Sequence, residues 1–150
     1  MPATYSRILF HFIISTKKRA RMIITELQPR LYAFMGGIVR DENGTLYKIG
    51  GMPDHVHLLI QWRTGESAAT LMRNVKSRSS QWVHQTFPTM SAFAWQEGYG
   101  VFSVSESRID SVRVYIRNQE QHHHTTTFEE EYLAFLNAHR VEYDERYVLD

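Results

Sequence analysis

The stretch Asp54-His55-Val56-His57-Leu58-Leu59-Ile60 narrows the folds open to this chain more than any other segment. It reads as a β-strand, in which residues i and i+2 project to the same face. Val56, Leu58, Ile60 and Trp62 then form an apolar face that other elements have to cover, while His55 and His57 project together from the opposite face. Two imidazoles side by side on a sheet are a ready pair of metal ligands. Alone, such a pair also fits a structural or surface role.

The elements around this strand follow from hydrophobic period and turn signals. Residues 5–14 read as a first strand, with Ile8, Phe10, Phe12 and Ile14 on one face and Arg7, Leu9 and His11 on the other. Thr25 is the expected N-cap of a helix over about 26–39, with Pro29 in its first turn. Asn43-Gly44 marks a turn, residues 45–51 form a second strand, and Met52-Pro53-Asp54 turns the chain into the histidine strand at 55–62. Ser67 caps a helix running to about 86, whose apolar stripe is Ala68, Leu71, Met72, Val75, Trp82 and Val83. A fourth strand spans roughly 100–105. Ser107 is expected to cap a third helix to about 122, and Thr127 with Glu130 boxes a fourth that starts at Phe128. The order β-α-β-β-α-β is that of the α+β ferredoxin-like (RRM-like) fold, an antiparallel sheet with two helices on one face. If both core helices cover the Val56 face, the third helix is the natural cover for the His55/His57 face.

At 150 residues, 43% of them hydrophobic and 13% aromatic, residues 1–150 are read as one globular domain. The chain has no cysteine, which excludes disulfides and thiolate metal sites. It shows no signal-peptide pattern and no apolar run approaching the roughly 18 residues of a membrane helix, so a cytoplasmic protein without membrane contact is expected. The net charge of +1 is less informative than its distribution. Lys17, Lys18, Arg19 and Arg21 form a basic cluster, Arg73, Lys76 and Arg78 a basic helix face, and Glu129-Glu130-Glu131 an acidic run.

A second constellation lies in Tyr115-Ile116-Arg117-Asn118-Gln119. On a helix Tyr115 and Gln119 are i and i+4 and share a face, with His122 one turn further. Tyr115 can then face a metal held by His55 and His57, with Gln119 as a third, oxygen ligand. A mixed nitrogen and oxygen set suits Mg²⁺ or Mn²⁺. A phenol with an unperturbed pKa near 10 is a weak nucleophile at neutral pH. It becomes competent when a metal polarises the phosphoryl oxygen and its proton is taken up locally. Attack on a DNA phosphodiester would give a 5′-phosphotyrosine and a free 3′-hydroxyl, and the retained ester allows rejoining without ATP.

These motifs resemble the single-tyrosine HUH transposases of single-strand insertion sequences, including the REP-associated tyrosine transposases. The likeness is carried by Phe10-His11 leading to Ser15-Thr16-Lys17 with Arg19, by Met52-Pro53-Asp54-His55-Val56-His57-Leu58, by Trp95-Gln96-Glu97-Gly98-Tyr99-Gly100 through Phe102-Ser103-Val104-Ser105, and by Tyr115 to Gln119 followed by His122-His123. The resemblance implies that His55, His57 and Gln119 hold the metal and that Tyr115 is the nucleophile. It also implies single-stranded DNA with hairpin-forming ends as substrate, and a homodimer in which the tyrosine helix can serve the partner's site. Asp54 is read as orienting an imidazole and His11 as a hydrogen-bonded neighbour of the pair. Residues 128–150 align with no part of the family that carries chemistry.

The basic residues named above are candidate phosphate contacts, with ordinary solvated charge as the plainer reading. Trp95, Tyr99 and Phe102 are candidate stacking platforms for unpaired bases. His122 to His124 are read as a fraying helix end. The alternative function is a non-catalytic single-stranded nucleic-acid-binding module, since open ferredoxin-like sheet faces also bind single strands.

Overall fold

The computed structural model describes residues 3–149. Its strands are β1 (Ile8–Ser15), β2 (Thr45–Met52), β3 (His55–Trp62) and β4 (Gly100–Val104), and its α-helices are α1 (Gln28–Asp41), α2 (Ala68–Thr86), α3 (Ile109–Arg117), α4 (Gln119–His122) and α5 (Phe128–Ala138). The strands form one sheet in the order β2-β3-β1-β4, and each of its neighbouring pairs is antiparallel. That is the ferredoxin-like arrangement expected from the element order.

The two faces of β3 separate as its alternation dictates. Val56, Leu58, Ile60 and Trp62 join Phe12 and Ile14 of β1, and α1 and α2 cover them with Leu31, Met35, Ile38, Leu71, Met72, Val75 and Val83. Ser67 caps α2 by accepting the backbone N–H of Thr70. On the opposite face Leu9 and Leu59 pack against Ile109 and Ile116 of α3, and Ile13 and Phe102 pack against Phe128 and Leu136 of α5. The histidine face is therefore covered by three short helices rather than by one.

Four local expectations need correction. Thr25 is not an N-cap: a turn at 25–27 precedes α1, which starts at Gln28 with the helical Leu27 before it and Pro29 in its first turn. The third helix does not run unbroken from Ser107. A 3-10 turn at Glu106–Arg108 leads into α3, and Asn118 (φ −96°, ψ 23°) separates α3 from α4. Trp95 is core, 8% exposed, with its indole N–H donated to Ser79 and its ring against Phe93. Phe102 is likewise buried, against Phe135 and His139. Neither ring is available to stack on a base, because each fills a hydrophobic layer that would otherwise be a cavity.

Gly50 shows how closely α3 sits on the sheet. A Cβ at this position would lie 2.6 Å from the Ile116 carbonyl oxygen, one residue beyond Tyr115. Gly50→Ala must push α3 outward and should cost about 1–3 kcal/mol, the usual range for overpacking. Gly37, in α1, has only the tip of Arg40 near its missing Cβ. Gly37→Ala should instead stabilise by roughly 0.5–1 kcal/mol, because the helix interior loses a flexible residue. Urea denaturation of both variants checks the pair.

Candidate metal and tyrosine site

His55 and His57 point off β3 into a fully buried cluster, and neither has solvent exposure. The His55 Nε2 lies 2.9 Å from the Gln119 Oε1, and the His57 Nε2 lies 3.0 Å from the Glu131 Oε1. The Gln119 side-chain amide donates to Glu131 Oε2 at 2.9 Å. Tyr115 donates its hydroxyl to the same Glu131 Oε2 and stands 3.3 Å from the His122 Nε2. His123 completes the ring of contacts, with its Nε2 3.0 Å from the Gln119 Oε1 and 3.2 Å from the Glu131 Oε1. The break at Asn118 does not separate Tyr115 from Gln119, since both side chains meet at Glu131.

The outer nitrogens of both strand histidines are held. His55 Nδ1 lies 2.7 Å from the Asp54 carboxylate, and His57 Nδ1 lies 2.7 Å from His11 Nε2. Such outer contacts fix the ring orientation and leave the Nε2 atoms aimed at the cluster. Among the described residues no buried side-chain nitrogen or oxygen is left without a partner.

Electrostatics follows from burial set against this one carboxylate. Burial alone would lower His55, but Asp54 and Glu131 flank its two nitrogens and raise it to about 9. His57 is lowered, because its burial is complete and outweighs the help of Glu131. Burial lowers His11 to about 3, which keeps it neutral beside His57. Glu131 is held well below the usual carboxylate range: its burial opposes ionisation, but His55, His57 and Tyr115 all hydrogen-bond the charged form. Tyr115 is pushed well above the ordinary phenol value by burial and by the adjacent Glu131 charge.

The donor set fits a small divalent cation. His55, His57 and Glu131 each offer one ligand atom, and the three lie within 4.8 Å of one another. Neighbouring ligands of an octahedral Mg²⁺ or Mn²⁺ stand about 3 Å apart, √2 times the ion–ligand distance. The observed separations of 2.9, 3.0 and 3.4 Å among His55, Gln119, His57 and Glu131 have this scale.

In the sequence Glu131 figures only as the last member of the acidic run Glu129-Glu130-Glu131, in a segment, 128–150, to which no chemistry was assigned. Its signal was present nonetheless. Phe128, Glu131, Tyr132 and Phe135 follow helical spacing on α5, so a carboxylate interrupts an otherwise aromatic face. The Thr127–Glu130 capping box fixes where α5 starts, and Phe128 and Phe135 seat it on the His55 and His11 rings. His123, read as part of a fraying end, is also in the cluster.

The candidate DNA contacts scatter more widely. Lys17 and Lys18 are exposed, and Arg21 is exposed on a groove of about 440 Å³ beside Asp54, His123, His124 and Thr127. Arg19 is engaged by the C-terminal segment, forming an ion pair with Glu129 at 2.5 Å and donating to the Leu149 carbonyl. On α2 Arg73 is exposed, Arg78 pairs with Asp41, and Lys76 donates to the Gly98 carbonyl. Tyr99 is half-buried against Phe12. The α2 residues belong to the helix layer opposite the histidine cluster, so they are not brought to the site.

A ferredoxin-like sheet whose strand histidine pair meets a single tyrosine from an added helix defines the class of single-tyrosine HUH transposases. The chain belongs to the IS200-like transposase family, whose profile matches residues 4–119. Over 115 residues it is 23% identical to the ISDra2 transposase TnpA of Deinococcus radiodurans, covering 73% of this chain and 82% of that protein. In fold it resembles a crystal structure described as a transposase from Deinococcus radiodurans R1, with a TM-score of 0.66 and 24% identity over 79% of this chain and 95% of that one. It also resembles a REP-associated tyrosine transposase bound to a REP hairpin, with a TM-score of 0.61 and 16% identity over 82% of this chain and 73% of that one. Glu131 lies beyond the residues that the family profile matches. Among the described residues no helix is long and apolar enough to cross a membrane.

Proposed function

We propose that this chain is a metal-dependent DNA strand transferase in which Tyr115 cleaves and rejoins single-stranded DNA through a 5′-phosphotyrosine. The observation that carries the reading is the meeting of the Tyr115 hydroxyl with the His55, His57, Gln119 and Glu131 side chains in one cluster. His55, His57 and Gln119 would hold the ion, Mg²⁺ or Mn²⁺ by donor type. When bound there, such an ion supplies Lewis-acid polarisation of a phosphoryl oxygen.

The protein's own part is positional and electrostatic. Asp54 and His11 keep the two imidazoles aimed inward. Glu131 Oε2 accepts the hydrogen bond of the Tyr115 hydroxyl and so orients the phenolic proton. In the reaction the Tyr115 hydroxyl gives its proton to the Glu131 carboxylate as its oxygen bonds to phosphorus, the bond from phosphorus to the 3′-oxygen breaks, and the 3′-oxygen leaves as a hydroxyl after taking up that proton. Reversal by a 3′-hydroxyl regenerates the phosphodiester and the free tyrosine. The resemblance supports a homodimer, and light scattering of the purified chain at about twice the monomer mass is the expected result.

The substrate class follows from the chemistry and from kinship. A buried cluster on a sheet face cannot receive a phosphate locked inside a duplex, and a relative of the same fold is bound to a REP hairpin. We therefore assign single-stranded DNA flanking a hairpin, with the exposed Lys17, Lys18 and Arg21 as phosphate contacts, Arg21 on the groove it shares with Asp54 and His123. The test is a denaturing gel of the protein with labelled single-stranded DNA from its own flanking repeats, with Mn²⁺ or with EDTA. An adduct that survives denaturation and requires the metal is expected. Native binding without an adduct in either condition would favour the binding module.

A further inference from the structure

The element that lies beyond the family-matched residues brings the most unusual group on the molecule, a carboxylate 2% exposed at the centre of the cluster. We infer that Glu131 of α5 is itself a ligand of the divalent ion, a fourth protein donor that joins the C-terminal helix to the histidine strand. The inference rests on the reading of this cluster as a metal centre and extends it to a residue that the His-x-His strand and the tyrosine helix do not supply.

Three observations carry it. Glu131 Oε1 is 3.0 Å from His57 Nε2, 3.4 Å from His55 Nε2 and 3.2 Å from His123 Nε2. An oxygen within 3.4 Å of both strand histidines, on the side to which their outer contacts aim them, sits where a shared ligand sits. Its second oxygen has a different task, accepting from Gln119 at 2.9 Å and from Tyr115. One oxygen on the ion and the other on the nucleophile is a division of labour open to a carboxylate and closed to an amide or an imidazole.

The charge balance points the same way. A buried carboxylate costs several kcal/mol unless an opposite charge answers it. Among the described residues no lysine or arginine bonds to Glu131; its partners are an amide, a phenol and imidazoles, of which His55 can answer the charge as a cation when no ion is bound. A divalent cation bound between His55, His57 and Gln119 would answer that charge directly. His11 suits either state, because its Nε2 can donate to or accept from His57 Nδ1 as the His57 proton changes sides. The placement of Glu131 is also built in: the capping box fixes the first turn of α5, and Phe128 and Phe135 anchor it on either side.

Coordination by Glu131 has a consequence for α5. The helix would be docked partly by the ion, so loading the metal should slow opening of residues 128–138.

The experiment is a titration of the full chain with Mn²⁺ in the absence of DNA, by calorimetry, for the wild type, Glu131→Gln and His57→Ala. Glu131→Gln keeps the shape, so a fold change is not expected; a thermal melt in EDTA verifies it. The expected result is roughly tenfold or greater weakening in Glu131→Gln and no measurable binding in His57→Ala. Co²⁺ loading adds a spectroscopic readout, since loss of a ligand alters the visible bands of the ion even at saturation. Binding and Co²⁺ spectrum unchanged in Glu131→Gln, with His57→Ala still inactive in binding, would overturn the assignment of Glu131 and leave the metal centre standing. Wild-type affinity in His57→Ala, or no binding by the wild type, would remove the metal centre and this inference with it.

Discussion

Tyr115→Phe is expected to abolish the covalent protein–DNA adduct while leaving single-strand affinity within about twofold. The hydroxyl is the one atom removed, and it is the atom that would bond to phosphorus. The ring has other duties that phenylalanine keeps: it packs edge-on against His57 and Phe135, with centroids 5.8 Å away in each case. Glu131 loses one donor but retains Gln119 at 2.9 Å and the imidazoles of His57 and His123. The fold should therefore survive with a stability change near the roughly 1 kcal/mol of one hydrogen bond. The measurement is the denaturing gel with Mn²⁺, run beside a native gel-shift titration. Undiminished adduct in the variant would remove Tyr115 from the chemistry. Lost native binding would make it a DNA contact instead.

How much of this was legible beforehand divides along physical lines. The histidine strand was readable because period-2 alternation is a strong local constraint, and its two faces do separate into a helix-covered core and a polar cluster. The sheet order followed from the element order. The Tyr115–Gln119 pairing was readable from helical spacing, although the helix breaks between them at Asn118. What spacing alone could not supply was depth. Trp95 and Phe102 look like stacking platforms in sequence, but a buried aromatic and an exposed one have the same letter, and tertiary packing decides between them. Arg19 and Lys76 read as free cations until their partners, Glu129 and the Gly98 carbonyl, are seen to come from distant segments. Glu131 was hidden for a related reason. It sits in an acidic run whose neighbours Glu129 and Glu130 serve an ion pair and a helix cap, and only the aromatic spacing around it marks the buried member.

Asp54 separates a positioning role from a merely structural one, and Asp54→Asn should lower Mn²⁺ affinity by roughly 10–100-fold, the usual loss for a residue that orients a metal-ligating histidine. The side chain contacts His55 Nδ1 at 2.7 Å, and its charge both fixes the ring and raises the electron density at the inward Nε2. The turn itself is held by backbone. The Asp54 carbonyl accepts from the Thr16 N–H at 2.9 Å and from the Thr16 hydroxyl at 3.1 Å, and the Pro53 carbonyl accepts from the Ile23 N–H at 2.9 Å. None of these bonds involves the carboxylate, so asparagine preserves them and the hairpin between β2 and β3 should fold as before. A structural residue would move the melting temperature and leave the affinity of the folded fraction alone. A positioning residue does the opposite: the melt in EDTA stays near wild type while the Mn²⁺ titration shifts. Calorimetric titration at fixed pH, with the melt as control, distinguishes the two. Unchanged Mn²⁺ affinity in Asp54→Asn would reduce this carboxylate to a bystander at the rim of the cluster.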